Sequence, residues 1–257
     1  MIHPPAIFAK IRPLQNLSSS LLKRYARLFK GRYSVERRMG VRMLLDQTNV
    51  VDRHLLLRGA WEAEQIAFLA GLVRRHRKPG ERCVFLDIGA HGALYALTLE
   101  RELQFDEIVA FEPSPVNLAQ LRANLLLNDC VGRVRVVEQA VSDREGRATF
   151  VVSNARNRGH SRIHGGDLAS GEAMIEVATT TIDSLPGPRG ALVVAKIDVE
   201  GGELAVLKGM GATLANNRVI LQVERNTGAL SDLVETLAPA GLTFLKSIDH
   251  DHYFVKA

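Results

Sequence analysis

Apolar residues follow two rhythms along this chain, and the change near Gly80 divides it. Before that point the spacing is helical. Leu21, Leu22, Tyr25, Leu28 and Phe29 recur every three or four positions, with Lys23, Arg24, Arg27 and Lys30 between them. This predicts a basic amphipathic helix over Leu21–Tyr33. Residues 1–20 hold three prolines and Ser18-Ser19-Ser20, and read as a loose arm. A second helix is predicted over Glu62–His76, burying Ile66, Leu69, Leu72 and Val73. After Gly80 short apolar runs alternate with helical stretches. Cys83–Ile88 is continuously apolar but for Asp87, as expected of a parallel strand covered on both faces. There follow a helix over 92–103, a strand over 107–112, a helix over 115–127 and a strand over 133–141. Thr149–Ser153 and Glu176–Ile182 form an antiparallel excursion around a loop bearing glycine and histidine. Strand 192–199, a helix over Gly202–Met210, strand 219–224, helix 229–239 and a final pair near 243–247 and 252–256 complete the order. Such alternation builds a doubly wound α/β sheet, mostly parallel, and the closing pair makes its last strand antiparallel. The division is a basic helical extension over 1–80 and an α/β domain over 81–257.

Charge sharpens that division. Residues 1–80 carry 16 lysines and arginines against 5 acidic residues, which leaves 17 against 23 in the remainder. Either the basic part meets an anionic partner, such as a membrane surface, nucleic acid or a phosphorylated carrier, or it packs on the acidic part of its own chain. The basic helix allows peripheral membrane contact. No run reaches the roughly 18 apolar residues of a membrane span, and Pro4, Pro5, Lys10 and Arg12 interrupt any secretory core near the start. Cys83 and Cys130 sit in apolar surroundings and read as free thiols, so the expected compartment is the cytoplasm.

The chemistry lies at the strand ends. In a doubly wound sheet a ligand binds outside the carboxyl ends of the strands, where strand order reverses. The first strand runs into Asp87-Ile88-Gly89-Ala90-His91-Gly92, whose glycines let a ligand approach the backbone near a helix N-terminus. Glu112 ends the second strand, placed to accept hydrogen bonds from two ribose hydroxyls. A glycine turn plus an acid also fits a nicotinamide dinucleotide. Yet the fingerprint Gly-x-Gly-x-x-Gly is absent, and Asp87 stands where a dinucleotide fold carries an apolar residue. A carboxylate there suits a ligand with a cationic amino group, or else caps the turn by accepting from backbone N–H groups.

At this point the chain resembles a family, the FkbM-type methyltransferases. Phe85 to Leu97 looks like their first motif. Glu112-Pro113-Ser114-Pro115 with Asn117, Leu121, Asn124 and Asn128 resembles the second, and Ala140-Val141-Ser142-Asp143 with Gly146 the third. Thr181-Ile182-Asp183-Ser184-Leu185, then Lys196-Ile197-Asp198-Val199-Glu200-Gly201-Gly202-Glu203, is similar to the most distinctive block. Asp46 to Arg53 and Gly59-Ala60-Trp61-Glu62 resemble the lead-in of members that methylate sugars. The resemblance implies a Rossmann-like class I methyltransferase fold and S-adenosylmethionine as cofactor, held by Asp87, Gly89, Ala90, His91, Gly92, Glu112, Pro113, Asn117, Ala140, Ser142 and Asp198. It further implies a hydroxyl acceptor on a sugar, glycolipid or glycosylated natural product. The chain departs from the family where Asn-x-Gly is usual and His91-Gly92-Ala93 stands instead. Either the turn shifts register onto Gly92, or Ala93 crowds the ligand.

A hydroxyl acceptor must lose its proton to a base or with metal assistance. Strand alternation puts Lys196, Asp198 and Glu200 on one face at the active edge. Asp198 and Glu200 could serve as base, hold a divalent cation or cap the next helix, whose first turn holds Glu203. Lys196 is their counter-ion. The loop Asn157–Asp167 reads as a substrate lid with His160 as a further candidate base. Gln222 and Glu224 end the next strand near the acceptor. No Cys/His group has zinc spacing. Methylation at nitrogen or carbon of a small metabolite, or of RNA through the basic segment, are the alternatives. Against RNA, the chain lacks an Asn/Asp-Pro-Pro-aromatic signature and has few aromatics for base stacking.

Overall fold

The computed structural model describes residues 31–152, 162–163 and 173–256. Its centre is a strand that solvent never reaches: all six residues of β3 (Cys83–Ile88) are buried. Their side chains alternate, so Cys83 and Phe85 enter the apolar layer on one side of the sheet and Val84, Leu86 and Ile88 the layer on the other. Around β3 lie β4 (Glu107–Phe111), β5 (Val134–Val137), β10 (Leu192–Ile197), β11 (Arg218–Glu224), β12 (Thr243–Ile248) and β13 (Asp251–Lys256). Strand order is β12-β13-β11-β10-β3-β4-β5. All pairs among β11, β10, β3, β4 and β5 are parallel, and β13 runs antiparallel to both its neighbours. The predicted doubly wound sheet with an antiparallel last strand is therefore present, and strand order reverses at β3.

Helices cover both faces. One side holds α2 (Ala63–His76) and α3 (Leu94–Leu103), the other α5 (Glu203–Lys208), α6 (Gly211–Asn216) and α7 (Leu230–Leu237). Helix α4 (Pro115–Leu127) follows β4 and starts with proline at its first turn, where a missing N–H costs nothing. No helix among the described residues is long and apolar enough to cross a membrane. Both cysteines are free, Cys83 buried and Cys130 half-buried.

Two expectations change. The run 133–141 is not one strand: it breaks at Glu138-Gln139, and β6 (Ala140–Val141) joins a second sheet of order β6-β9-β7-β8. That sheet contains β7 (Gly146–Val152), β8 (Arg162–Ile163) and β9 (Ala173–Thr180). The second change concerns the helical extension. Leu21–Lys30 lie outside the described residues, but Tyr33 opens a strand. β1 (Tyr33–Arg38) and β2 (Val41–Asp46) form an antiparallel hairpin, followed by α1 (Val50–Arg58). The turn holds Met39 at φ 49° and Gly40 at φ 85°, the doubly positive turn whose twist suits a two-residue hairpin. Val41, Met43 and Leu45 are buried, alternate along β2, and share one apolar cluster with Phe85, Leu97 and Leu121.

Candidate active site

Register places the site. Ile88 pairs with both Phe111 and Ile197, so the next residues on three strands, Gly89, Glu112 and Asp198, come level at the carboxyl edge. Ile197 also pairs with Val223, and Glu224 with Asp251, which extends the row to Asp198, Glu224 and Asp251. One row deeper, Lys196 pairs with Asp87 and with Gln222, three buried polar side chains crossing the middle of the sheet. Above these rows opens a cavity of about 660 Å³.

The turn after β3 forms one end. Gly89 has φ 82°, and a Cβ there would meet the Asp198 carbonyl oxygen at 1.8 Å, so only glycine fits. His91 and Ala93 are also left-handed, at φ 47° and 63°, while Gly92 is not. The turn has kept its register, with alanine in a conformation that favours glycine. Asp87 does two things. Its Oδ2 accepts from the Ala96 N–H at 3.1 Å in the first turn of α3. Its Oδ1 is buried without a partner among the described residues. Burial pushes its carboxyl up to about 6, against the pull of Lys196. Glu112 accepts from the His91 N–H at 2.9 Å and the Ser114 N–H at 2.8 Å, one per oxygen. Each oxygen keeps further lone-pair capacity. Burial raises its carboxyl to about 7, offset by those two N–H groups.

Ala90, Gly92, Pro113, Asn117 and Ala140 line the cavity with them. The Asn117 Oδ1 is a second buried acceptor without a partner among the described residues. Ser142 does not line it. Its N–H donates to the Thr180 carbonyl at 2.9 Å, and its own carbonyl faces Gly209. His91 lines the wall, its Nε2 3.2 Å from the Asn49 Nδ2.

The opposite end is acidic. Glu62, Asp198, Glu200, Glu224, Asp249 and Asp251 line it, facing the one lysine among the described lining residues, Lys196. The Lys196 Nζ donates to Asp198 at 2.8 Å and lies 5.0 Å above the Tyr95 ring. Burial works to lower its pKa, but Asp198, Asp87 and Glu62 outweigh it and hold the ammonium above its ordinary value. Tyr95 donates to Glu62 at 2.8 Å, and the Gln222 Nε2 donates to both the Tyr95 hydroxyl and Asp251. Burial raises the carboxyl of Glu62 above its ordinary value, that of Asp251 to about 6 and that of Glu224 to about 9. Glu200 reaches the cavity, but not by strand alternation: β10 ends at Ile197 and Glu200 sits at φ 54° in the loop beyond. Glu203 accepts from the Gly201 N–H at 2.6 Å and stabilises that loop. No group of three or more His, Cys, Asp or Glu among the described residues is arranged to hold a metal ion. His160 lies outside the described residues.

Sequence reasoning passed over Tyr95, Asp251 and the lining residues of α1, Val50, Val51 and His54. Only the pairing of β11 with β13 brings Asp251 beside Glu224, and nothing local announces that register. Glu62 carried a usable sign, its place beside Trp61 in the lead-in.

Comparison with known proteins gives the family. The Methyltransferase FkbM domain matches residues 87–244. The 31-O-demethyl-FK506 methyltransferase FkbM of Streptomyces tacrolimicus is 31% identical over 202 residues, covering 67% of this chain and 76% of that protein. Methyltransferase sdnD of Sordaria araneosa is 26% identical over 185 residues, 61% of this chain and 67% of the other. Among solved structures, Methyltransferase FkbM from Methylobacillus flagellatus KT is similar at 17% identity and a TM-score of 0.48, covering 94% of this chain and 59% of that one. With the domain match spanning the turn after β3, the acid that follows β4 and the Lys196–Glu203 block, the chain belongs to the FkbM family and is an S-adenosylmethionine-dependent methyltransferase.

Proposed function

We propose that this enzyme methylates a hydroxyl group on a sugar, a glycolipid or a glycosylated natural product. The observation that carries the reading is Asp198: it directly follows β10, level with Gly89 and Glu112, is bonded by Lys196, and opens onto the acidic end of the cavity. The residues present fit the cofactor. Asp87, with one buried oxygen unclaimed among the described residues, would receive its amino group, the Gly89–Gly92 turn its carboxylate end, and Glu112 its ribose. S-adenosylmethionine supplies a methyl group on a cationic sulfonium, open to in-line displacement by a nucleophile.

The chain's own residues then orient an alcohol and take its proton. The carboxylates of Glu62, Glu224 and Asp251 offer acceptors to a polyhydroxylated ring, and Trp61 and His54 add an aromatic wall. Asp198 accepts the hydroxyl proton as the new C–O bond forms. The Streptomyces relative is named for methylating 31-O-demethyl-FK506, a substrate lacking an O-methyl group, which supports oxygen as the target. The acidic wall also suits an amine, so nitrogen is the second reading. The test offers labelled S-adenosylmethionine with a panel of glycosides, glycolipids and their amino counterparts, and locates the methyl group by NMR. Transfer to oxygen is expected, and Asp198→Asn should lower kcat by on the order of 100-fold while S-adenosylhomocysteine still raises Tm. Product carrying the label only on nitrogen or carbon, or an unimpaired Asp198→Asn, would overturn the proposal.

A further inference from the structure

The asparagines of the second motif, Asn124 and Asn128, find no role in binding or chemistry as described above. With Gln120 they stand at every fourth residue of α4 and its C-terminal cap, on one helix face. That face meets β2 along the edge that β1 leaves open. The Asn128 Oδ1 accepts from the Arg42 N–H at 2.9 Å and its Nδ2 donates to the Arg42 carbonyl at 2.7 Å. Two residues on, the Asn124 Oδ1 accepts from the Leu44 N–H at 2.7 Å, and the Gln120 Nε2 donates to the Leu44 carbonyl at 2.8 Å. Three side-chain amides thus imitate a third strand, satisfying every backbone donor and acceptor of Arg42 and Leu44 on that edge.

Asn124 reaches further than its neighbours. Its Nδ2 donates to the Gly92 carbonyl at 2.8 Å, inside the turn that follows β3, and the side chain is wholly buried. A Cβ on Gly92 would come within 3.3 Å of that nitrogen, so the turn lies directly against it. One amide therefore holds the hairpin with its oxygen and the cofactor turn with its nitrogen. A second tie runs alongside. Asn49, whose Oδ1 accepts from the Val51 N–H to cap α1, contacts His91 through its Nδ2. We infer that Asn124 is a positioning residue for S-adenosylmethionine: it transmits the placement of the hairpin, which lies upstream of the matched domain, to the backbone of the cofactor turn. Holding that turn matters because His91 and Ala93 are left-handed without being glycine, a conformation that surrounding contacts must maintain.

The experiment uses the full chain. Asn124→Ala and Asn128→Ala both remove hairpin bonds and should both lower Tm. Only Asn124→Ala also removes the bond to the turn, so it alone should raise the KM for S-adenosylmethionine, by about five- to tenfold, with kcat little changed. Asn128→Ala should leave that KM within twofold. Equal KM effects from the two variants, or none from either, would reduce Asn124 to a structural residue and overturn the inference. Hydrogen exchange on the wild-type protein covers the case in which Asn124→Ala fails to fold. Saturating S-adenosylhomocysteine should slow exchange in peptides covering residues 41–46 as well as 87–96. Protection confined to 87–96 would overturn the inference while leaving cofactor binding intact. No protection in either would overturn cofactor binding itself, and the inference with it.

Discussion

At the scale of single residues, the balance at Asp87 decides more than its neighbours do. The carboxylate is wholly buried in the middle of the sheet, with one oxygen on the Ala96 N–H and one without a partner among the described residues. Leaving a buried acceptor unsatisfied costs the folded protein about 1–3 kcal/mol, which a ligand's ammonium group would recover. Its carboxyl is raised to about 6 by burial. A carboxyl raised by folding favours the folded state below its ordinary value near 3.8, and that advantage is lost as pH rises through about 6. Asp87→Asn removes this loss. Its Tm should therefore improve relative to wild type between pH 4 and pH 8, while its affinity for S-adenosylhomocysteine at pH 8 falls at least tenfold. Thermal melts with and without ligand across that range measure both. A variant that matched the wild type in affinity would show that Asp87 only caps α3. The sequence showed Asp87 and Glu112 plainly, because both stand next to a recognisable turn or strand end. It left two readings of the His91-Gly92-Ala93 turn that only backbone angles could separate.

At the scale of elements, patterning worked where a run had one environment along its length. β3, β4, β10, β11 and α4 lie within a residue or two of their expected bounds, because each is buried evenly or on one face. It failed where one apolar run served two sheets. Val134–Val137 and Ala140–Val141 are equally strand-like, and the break at Glu138-Gln139 reflects β9 pairing with β6, a partner some 40 residues away. The hairpin did carry a local sign, alternation of Val41, Met43 and Leu45 after Met39-Gly40, masked by the basic residues around it. The joint between the two sheets offers a test of its own. Gly209, at the end of α5, sits so close to the residue directly after β6 that a Cβ would meet the Ser142 carbonyl oxygen at 2.0 Å. Both groups are backbone, so neither can swing aside. Gly209→Ala should cost about 1–3 kcal/mol and lower Tm by roughly 3–10 °C. Gly211→Ala, two residues on with open space at its Cβ, should be near neutral by the same melt.

At the scale of the whole molecule, two features of the described residues bear on the uneven charge seen along the chain. On the surface, basic residues of the N-terminal part pair with acids of the α/β core: Arg74 with Glu102, and Arg77 with Asp106 at 3.2 Å. Inside, register brings Asp198, Glu224 and Asp251 level, and Glu62, Glu200 and Asp249 join them, so that six carboxyl groups line one end of the cavity with Lys196 as the one lysine or arginine among its described lining residues. That field acts on whatever enters. A phosphate or sulfate on the acceptor would lie against carboxylates that are mostly half-buried, where repulsion is screened less than in bulk water. A neutral glycoside should therefore be methylated with a kcat/KM at least on the order of tenfold above that of its phosphorylated form. The preference should also respond to pH in a fixed direction. Burial holds Asp251 to about 6 and Glu224 to about 9, so at pH 6 the wall still carries protons that it sheds as pH rises. Discrimination against the anionic acceptor should accordingly grow between pH 6 and pH 9, and Glu224→Gln should flatten the upper half of that rise. Paired kcat/KM measurements on the two acceptors across this range decide the matter. A preference for the phosphorylated acceptor would mean that the charge on this wall is answered by cations from elsewhere in the chain.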